Sequence, residues 1–413
     1  MRDRWRWIAL PFCTLALTMG VRSAFGVYVL PWETEYGATR AHIASVSSLS
    51  LLVYGLGNIA AGSVAERFGV ARVMATSLIL VALGLAASAL AHGWVWLYVW
   101  YGVVASAGFS GASHVTASLA VRHRFPQGRR SFVLSVAVAG MAAGQMVVVP
   151  AQVLLVGAWG WRPVLMGLGV VAALLVVAAV GLWPEQDSSP REGAVRGPAG
   201  VGALVRDPWF WAFLLPYGVC GFTDSGLVDN HFVPYARGVG VPEAMLATSL
   251  SVLAGANLVG TVAAGYLADR WGRGAVLAGL YALRAVALVV LLLGGKDALW
   301  PFALLFGATH FSTIAPTNTL ALSLFRASAP GLAVGLASFV HQLGAAAGAF
   351  AGGATFDRFG TYRPAFSSGA ALLVASAALA GWIHRRAEKG AAAPAAPAPG
   401  HSRGVRERRK EGA

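Results

Sequence analysis

The chain has 413 residues, of which 57% are hydrophobic and only 12% are charged. A soluble domain carries about twice that charged fraction, and the mean hydropathy is +0.65. The composition therefore excludes an ordinary soluble protein and indicates an integral membrane protein.

Twelve apolar runs, each about the 20 residues that span a bilayer, follow one another along the chain. They predict an all-α membrane protein with twelve transmembrane helices. The predicted spans are 8–32, 45–65, 72–91, 94–120, 132–156, 163–183, 209–236, 244–268, 275–294, 299–325, 331–356 and 364–384.

Most of the 31 Lys and Arg residues lie on one side of this topology. Because basic loops face the cytoplasm, both termini are predicted to be cytoplasmic, in the inner membrane of a cell. The net charge of +14 then reflects topology, and no nucleic-acid partner is expected. The basic residues predicted on the outer side are Arg40, Arg162, Arg237, Lys296, Arg358 and Arg363.

A central polar stretch rich in Pro, Gly and Ser, 184–208, is predicted to be a cytoplasmic linker. It separates two six-helix bundles, 1–183 and 209–386. The remaining segment, 387–413, is rich in Ala and Pro and then basic, which predicts a disordered cytoplasmic tail.

The two bundles are predicted to be an internal repeat. The phrase GSVAERFGVARV, 62–73, returns as GYLADRWGRGAV, 265–276, after a shift of 203 positions. The same shift relates Gly37 to Gly240 and Gly57 to Gly260. Self-similarity at a fixed offset is the signature of a duplicated structural unit.

Twelve spans in two halves, with this paired loop motif, resemble the major facilitator superfamily. The resemblance implies two pseudo-symmetric bundles, alternating access, and a central cavity lined by spans 1, 4, 7 and 10. It also implies that the acids and arginines of the motif pair in one conformer and separate in the other. Glu66 stands where the family usually has Asp. The motif residues are Gly62, Glu66, Arg67, Gly69, Arg72, Gly265, Asp269, Arg270, Gly272 and Arg273.

Span 5 narrows the resemblance to bacterial members of the monocarboxylate porter and oxalate/formate antiporter group. Its pattern is Gly140, Gly144 and Pro150 followed by a Gly-Trp-Arg triplet at 160–162. Span 8 departs from the group, because Asn257 and Thr261 occupy positions where monocarboxylate porters usually carry Arg and Asp.

Ionisable side chains inside the membrane are costly and mark candidate substrate or proton sites. Arg22 in span 1 and Asp224 in span 7 lie at equivalent depths of the two halves, so we expect Arg22 to bind an anion and Asp224 to pair with it in the absence of substrate. The alternative is a static ion pair that joins the halves. Arg284, on an outer helix, is expected to be structural.

Asp224, Val228, His231 and Tyr235 share one helical face of span 7. Asp229 is about 140° away from Asp224 on a regular helix and is expected to face a neighbouring helix. His310 or His231 is a candidate carrier of a coupling proton; the alternative for each is a hydrogen-bonded packing role. The full set of predicted substrate-binding residues is Arg22, Tyr28, His114, Gln145, Asp224, His231, Asn257, His310, Asn318 and His341.

The sequence predicts a secondary transporter, with proton symport of a small, monocarboxylate-like organic anion as the favoured function. Export of a neutral or amphipathic compound, anion exchange and a non-transporting membrane sensor are the alternatives. We expect a monomer in the lipid bilayer that carries a small molecule and protons. No catalytic residues, cofactor or metal are expected, and the chain is predicted not to be an enzyme.

Overall fold

The structure is a computed structural model that describes residues 2–117, 137, 139–182, 206, 208–324 and 330–391. Within these ranges the chain is almost entirely helical and contains no β-strand. Most of the predicted linker 184–208, and the tail beyond Ala391, lie outside the described residues.

The first half consists of six helices. Their bounds are α1, Arg2–Ser23 continued by Phe25–Tyr36; α2, Arg40–Phe68; α3, Val70–Ala89; α4, Trp94–Ala117; α5, described over Ala139–Trp159; and α6, Trp161–Leu182.

The second half repeats this arrangement. Its bounds are α7, Pro208–Gly221 continued by Phe222–Val228 and Asp229–Gly238; α8, Glu243–Trp271; α9, Arg273–Gly294; α10, Leu299–Thr309 continued by Ile314–Leu324; α11, Pro330–Phe359; and α12, Arg363–Ala391.

In the described part of the chain, 8 helices are long and apolar enough to cross a membrane, or 9 if the bent α1 is one span. One of them, the 49-residue stretch Arg273–Ala321, covers the predicted span 9 and most of the predicted span 10. The helix α12 continues to Ala391, five residues into the segment 387–413 that is predicted as the tail. Ala, Lys and Glu favour helix, and the first residue that cannot continue it is Pro394.

The backbone repeats together with the sequence. Gly69, between α2 and α3, has φ 90° and ψ 137°, and Gly272, between α8 and α9, has φ 88° and ψ 142°. Side chains other than glycine rarely adopt positive φ, which explains the second glycine of each motif. We call this face of the bundle the Gly69 side, and the opposite face, where α2 begins, the Arg40 side.

The inner helices are irregular near their middles. α1 bends by 46° at its break, and α7, its counterpart in the repeat, has a π-helical segment over Phe222–Val228. α10 is interrupted between Thr309 and Ile314. Such breaks in a membrane helix are tolerated where side chains or neighbouring helices satisfy the released backbone groups.

The two halves approach each other closely through glycine. A Cβ atom on Gly26 of α1 would lie 2.8 Å from the carbonyl oxygen of Asn230 in α7. A Cβ atom on Gly353 of α11 would lie 2.8 Å from the carbonyl oxygen of Arg40 in α2. Small residues at these positions let helices of opposite halves come into backbone contact.

The Arg40 side is closed by a polar latch between the halves. The carboxylate of Asp357, at the end of α11, accepts hydrogen bonds from the backbone N–H groups of Arg40 (3.0 Å) and Ala41 (2.7 Å) at the start of α2. The guanidinium of Arg40 pairs with Glu33 at 2.6 Å and donates to the Tyr362 hydroxyl at 3.0 Å. A carboxylate at a helix N-terminus is favoured by the helix dipole as well.

We predict that Asp357→Ala loosens this latch, because both N–H groups lose a charged acceptor. Ser47→Cys in a Cys13→Ser background, where the remaining Cys220 is buried, serves as the reporter inside the protein. A membrane-impermeant maleimide applied from the Arg40 side should label Cys at position 47 several-fold faster in the Asp357→Ala protein.

The matched control is Glu35→Ala, which breaks an exposed ion pair with Arg162 (2.6 Å) on the same side but within one half. This control should leave the labelling rate unchanged. Equal rates with and without Asp357→Ala would show that the carboxylate does not hold the halves together.

Candidate functional site

Two small cavities lie between the halves, near the irregular middles of α1, α7 and α10. The first, the Arg22 cavity, has a volume of about 20 Å³ and the second, the His310 cavity, about 30 Å³. Ser23 and Asp229 line both. The Arg22 cavity is lined by Met19, Arg22, Ser23, Phe25, Ser47, Ser50, Leu51, Tyr101, Ser225, Asp229 and Asn230.

Arg22 is half-buried just before the bend of α1. Its guanidinium carbon lies 3.5 Å from the centre of the Tyr54 ring, a cation–π contact within the first half. Among the residues that the structure describes, no carboxylate lies within ion-pair distance of Arg22. Arg22 therefore presents a positive charge to the space between the halves.

The predicted pairing of Asp224 with Arg22 is wrong. Asp224 is 1% exposed and pairs with Arg284 of α9 at 3.4 Å and with His341 of α11 at 3.5 Å. The Cys220 thiol donates to the same carboxylate at 3.4 Å. Asp224 is thus committed to partners inside the second half.

Arg284 is structural, as expected for an outer helix, and it also explains the break in α10. Its guanidinium donates to the carbonyl oxygens of Thr309 and, at 2.7 Å, His310, which the interruption of the helix releases. It also contacts the Cys220 sulfur at 3.0 Å. This buried cation therefore connects α7, α9 and α10.

One trio of side chains has the residue types of a metal site. Ligand atoms of Cys220, Asp224 and His341 lie within 4.8 Å of one another. The Arg284 guanidinium already contacts Cys220 and Asp224, so a cation is supplied by the protein itself. This arrangement favours a buried ion-pair network over metal binding.

Asp229 faces the cavities, contrary to the expectation that it faces a neighbouring helix. The reason is the π-helical segment just before it, in which each turn takes up an extra residue and the rotation of 100° per residue no longer applies. The predicted shared face is divided in the same way, because Val228 lines the His310 cavity together with Asp229. The other three members, Asp224, His231 and Tyr235, are turned toward α9 and α11. His231 Nε2 bonds the Ala349 carbonyl oxygen (2.7 Å), and the Tyr235 hydroxyl donates to that of Leu291 (3.2 Å).

His310 lies in the second cavity, on the interrupted part of α10. Its Nε2 atom is 3.8 Å from the Asp229 carboxylate, which is beyond hydrogen-bond distance. His310 is 1% exposed, and neither ring nitrogen has a hydrogen-bond partner in the described structure. Buried polar groups are nearly always satisfied, so this side chain is a candidate ligand group.

Gln145 and Asn257 form a hydrogen-bonded bridge between the halves. The Asn257 amide donates to Gln145 Oε1 at 3.1 Å, and the Gln145 amide donates to the Ser23 hydroxyl at 3.0 Å. Asn257 Oδ1 accepts the backbone N–H of Phe311 in the α10 interruption at 3.0 Å. The bridge therefore connects the irregular points of α1 and α10.

The remaining predicted site residues lie in different surroundings. Tyr28 is fully buried, and its hydroxyl donates to Gln152 at 2.6 Å in the packing of α1 against α5. His114 lines a third small cavity with Arg22 and Tyr54. Asn318 has a buried Oδ1 atom without a partner in the described structure. Of these, only His114 lines a cavity together with Arg22.

The loop motif is described in part, because the side chain of Glu66 lies outside the described set. Asp269 is exposed and, among the described residues, makes no ion pair. Arg270 donates to Tyr266 at 3.3 Å, and Arg67 lies over the Phe68 ring at 5.4 Å. Arg72 and Arg273 follow the two glycines at the starts of α3 and α9.

Sequence reasoning missed several cavity residues, notably Ser47, Ser50, Tyr101 and Asn230. Serine and tyrosine are common in membrane helices, so the residue type alone does not mark these positions as cavity-lining. The serines of α2 lie three positions apart and share a helical face, which is the one pattern that points toward the cavity.

The sequence matches the family profile described as Major Facilitator Superfamily over residues 11–349 and again over 235–407. The chain belongs to the major facilitator superfamily. It is therefore a multi-pass membrane transporter of a small molecule rather than an enzyme, with the twelve-helix fold of two six-helix halves.

Several relatives of this superfamily transporter are named as monocarboxylate transporters. Monocarboxylate transporter 13 of Bos taurus is 27% identical over 268 residues, which span 64% of this chain and 62% of that protein. The uncharacterized MFS-type transporter YcxA of Bacillus subtilis is 24% identical over 378 residues, 86% of this chain and 89% of that protein.

Solved structures of the superfamily share the fold. A bacterial homologue of the human lysosomal transporter Spinster, inward-facing and unoccupied, superposes with a TM-score of 0.73 at 14% identity, covering 93% of this chain and 96% of that one. The nucleoside transporter NupG gives a TM-score of 0.76 at 12% identity, with coverage of 92% and 99%.

We predict that Arg284→Met destabilises this transporter by about 3–5 kcal/mol, because it leaves the Asp224 carboxylate buried without its guanidinium partner. Denaturant unfolding of the purified protein in detergent measures the effect. Adding Asp224→Asn to Arg284→Met should recover part of the loss, since the buried charge is then removed.

The exposed pair of Arg162 and Glu35, whose side chains are 37% and 39% exposed, provides the control. Glu35→Gln should cost less than about 1 kcal/mol. If the Arg284→Met protein unfolds at the same midpoint as the unaltered protein, the structural role of the Arg284–Asp224 pair is contradicted.

Proposed function

We propose that this transporter carries a small organic anion of monocarboxylate type together with a proton. Arg22 is the anion-binding group, and the two halves move around it by alternating access. The observation that carries the proposal is the Arg22 guanidinium at the interface, which has no carboxylate partner among the described residues and from which a carboxylate can accept two parallel hydrogen bonds.

The pairing of Asp224 inside the second half supports this assignment. Since Arg284 and His341 hold that carboxylate, substrate need not displace it to reach Arg22. The low polarity of the surroundings strengthens attraction between the guanidinium and an incoming anion. The relatives named as monocarboxylate transporters agree with an anionic substrate.

Arg22 also accounts for the departure in span 8. Asn257, at a position where monocarboxylate porters usually carry Arg, is engaged with Gln145 and the backbone of Phe311. An uncharged bridge there leaves Arg22 as the basic residue that lines the Arg22 cavity among the described residues. The anion site has in effect moved from α8 to α1.

The coupling proton is assigned to Asp229 and His310. The two side chains face each other across 3.8 Å in the His310 cavity, and histidine titrates near neutral pH. His231, the other candidate, is bonded to the Ala349 carbonyl oxygen away from both cavities. A proton on Asp229 or His310 balances the charge of the bound carboxylate.

In this proposal the conformer is a carrier closed toward the outside. The positive-inside rule supports a cytoplasmic position of the Gly69 side and of both termini, and the latch then seals the outer side. A cavity of about 20 Å³ holds little more than one water molecule. Substrate therefore enters when the halves separate at the Gly69 side, where Asp269 is exposed and unpaired among the described residues.

We predict that Arg22→Gln abolishes gradient-stimulated uptake of short carboxylates into proteoliposomes, because the anion loses its charged partner. Arg22→Lys should retain part of the uptake, as it keeps the charge but loses the bidentate geometry. The measurement is uptake of labelled lactate, pyruvate, acetate and oxalate with and without an inward proton gradient.

Lys296→Gln, which removes an exposed cation from the loop between α9 and α10, is the matched control and should not change uptake. Carboxylate uptake that survives Arg22→Gln would contradict the assignment of Arg22. If the unaltered protein takes up none of these carboxylates, the alternative of amphipathic export is favoured, for which the apolar walls of the His310 cavity are suited.

A further inference from the structure

The carboxylate of Asp229 is placed to do more than hold a proton. It lines both cavities, so it lies between the guanidinium of Arg22 and the interior of the His310 cavity. Arg22 and Asp229 are both described, yet they form no ion pair with each other. A cation and an anion held apart in one site are complementary to a ligand that carries both charges.

Orphaned polar atoms mark the same place. Asn230 is 1% exposed, lines the Arg22 cavity, and its Oδ1 atom has no hydrogen-bond partner in the part of the chain that the structure describes. Its amide nitrogen is already bonded to the carbonyl oxygens of Ser225 (2.7 Å) and Gly226 (2.8 Å). The side chain is thereby fixed with an acceptor left over, next in sequence to the Asp229 carboxylate. An ammonium group, with three donors, satisfies both acceptors.

Beyond Asp229 the His310 cavity is mainly apolar. Its polar lining consists of Ser23, Gln145, Asp229 and His310, while the rest of the wall is aliphatic or aromatic. Such a wall binds a hydrocarbon side chain of a ligand by removing it from water. The apolar lining residues are Val149, Val228, Phe232, Val233, Leu250, Leu253 and Ala254.

We propose that the two cavities mark a site which, once the halves separate, binds an apolar α-amino acid, with its carboxylate on Arg22, its ammonium on Asp229 and Asn230, and its side chain against the apolar wall of the His310 cavity. This inference rests on the proposed function, because it uses the same anion site and the same access route. The ammonium takes the place of the coupling proton, so a bound amino acid and a bound carboxylate with one proton leave the same net charge in the site.

Three ligands separate the contributions. L-Leucine carries both charged groups, isocaproate lacks its amine and isoamylamine lacks its carboxylate, and all three share the same hydrocarbon chain. Competition against tritiated L-leucine, on the purified full-length protein, should rank leucine tighter than either fragment by about tenfold or more. In proteoliposomes, leucine uptake should not need a proton gradient, whereas isocaproate uptake should be stimulated by it.

Asp229→Asn tests the ammonium contact, because the amide resembles a protonated carboxyl group. In this variant leucine affinity should fall about tenfold or more, while isocaproate binding should persist. Isocaproate binding is measured directly with labelled isocaproate, and its persistence shows that the variant is folded. Asp297→Asn, an exposed acid between α9 and α10, is the matched control and should change neither affinity.

The outcomes distinguish this inference from the proposed function. Isocaproate binding that depends on Arg22, with leucine bound no more tightly, would overturn the amino-acid site and leave the carboxylate transporter intact. A ratio of leucine to isocaproate affinity that Asp229→Asn leaves unchanged would overturn it as well. If neither compound binds or is transported, both proposals fall together.

Discussion

The ion pair between Arg284 and Asp224 is the interaction on which the arrangement of the site depends. It satisfies the Asp224 carboxylate, which the repeat aligns with Arg22 of the other half, and it supports the open backbone of α10 through the carbonyl oxygens of Thr309 and His310. Breaking a buried pair is far more costly than breaking an exposed one. Because the pair is internal to the second half, that half can move as a unit while Arg22 remains available.

The two ends of the interface are built differently, and this difference fits a protein with two stable arrangements. On the Arg40 side, α2 is joined to α11 by backbone N–H groups that donate to the Asp357 carboxylate and by backbone contacts at Gly353. On the Gly69 side, Asp269 is exposed. Packed interfaces switch between discrete states instead of deforming gradually, so in the proposed alternating access the latch opens when the Gly69 side closes.

The sequence predicted the fold well because the fold depends on features that are local and periodic. Apolar runs set the helices, and the glycines at positions 69 and 272 repeat because a positive φ excludes other residues at both turns. The site was predicted less well, because it depends on helix irregularity. The directions of the α7 side chains depend on a π-helical segment, and no residue type in Phe222–Val228 predicts it. A regular helix therefore predicts Asp224 in the cavity and Asp229 outside it, whereas the structure has the reverse.

The same electrostatics connects binding to movement in the proposed mechanism. With the site empty, closing the Gly69 side would remove the unpaired Arg22 and the Asp229 carboxylate from water, which is costly for each charge. A carboxylate with a proton, or an amino acid with its own ammonium, neutralises both groups at once. Only a site whose charges are neutralised then passes through the closed state at low cost. This condition couples transport of a carboxylate to transport of a proton, without any direct contact between the two.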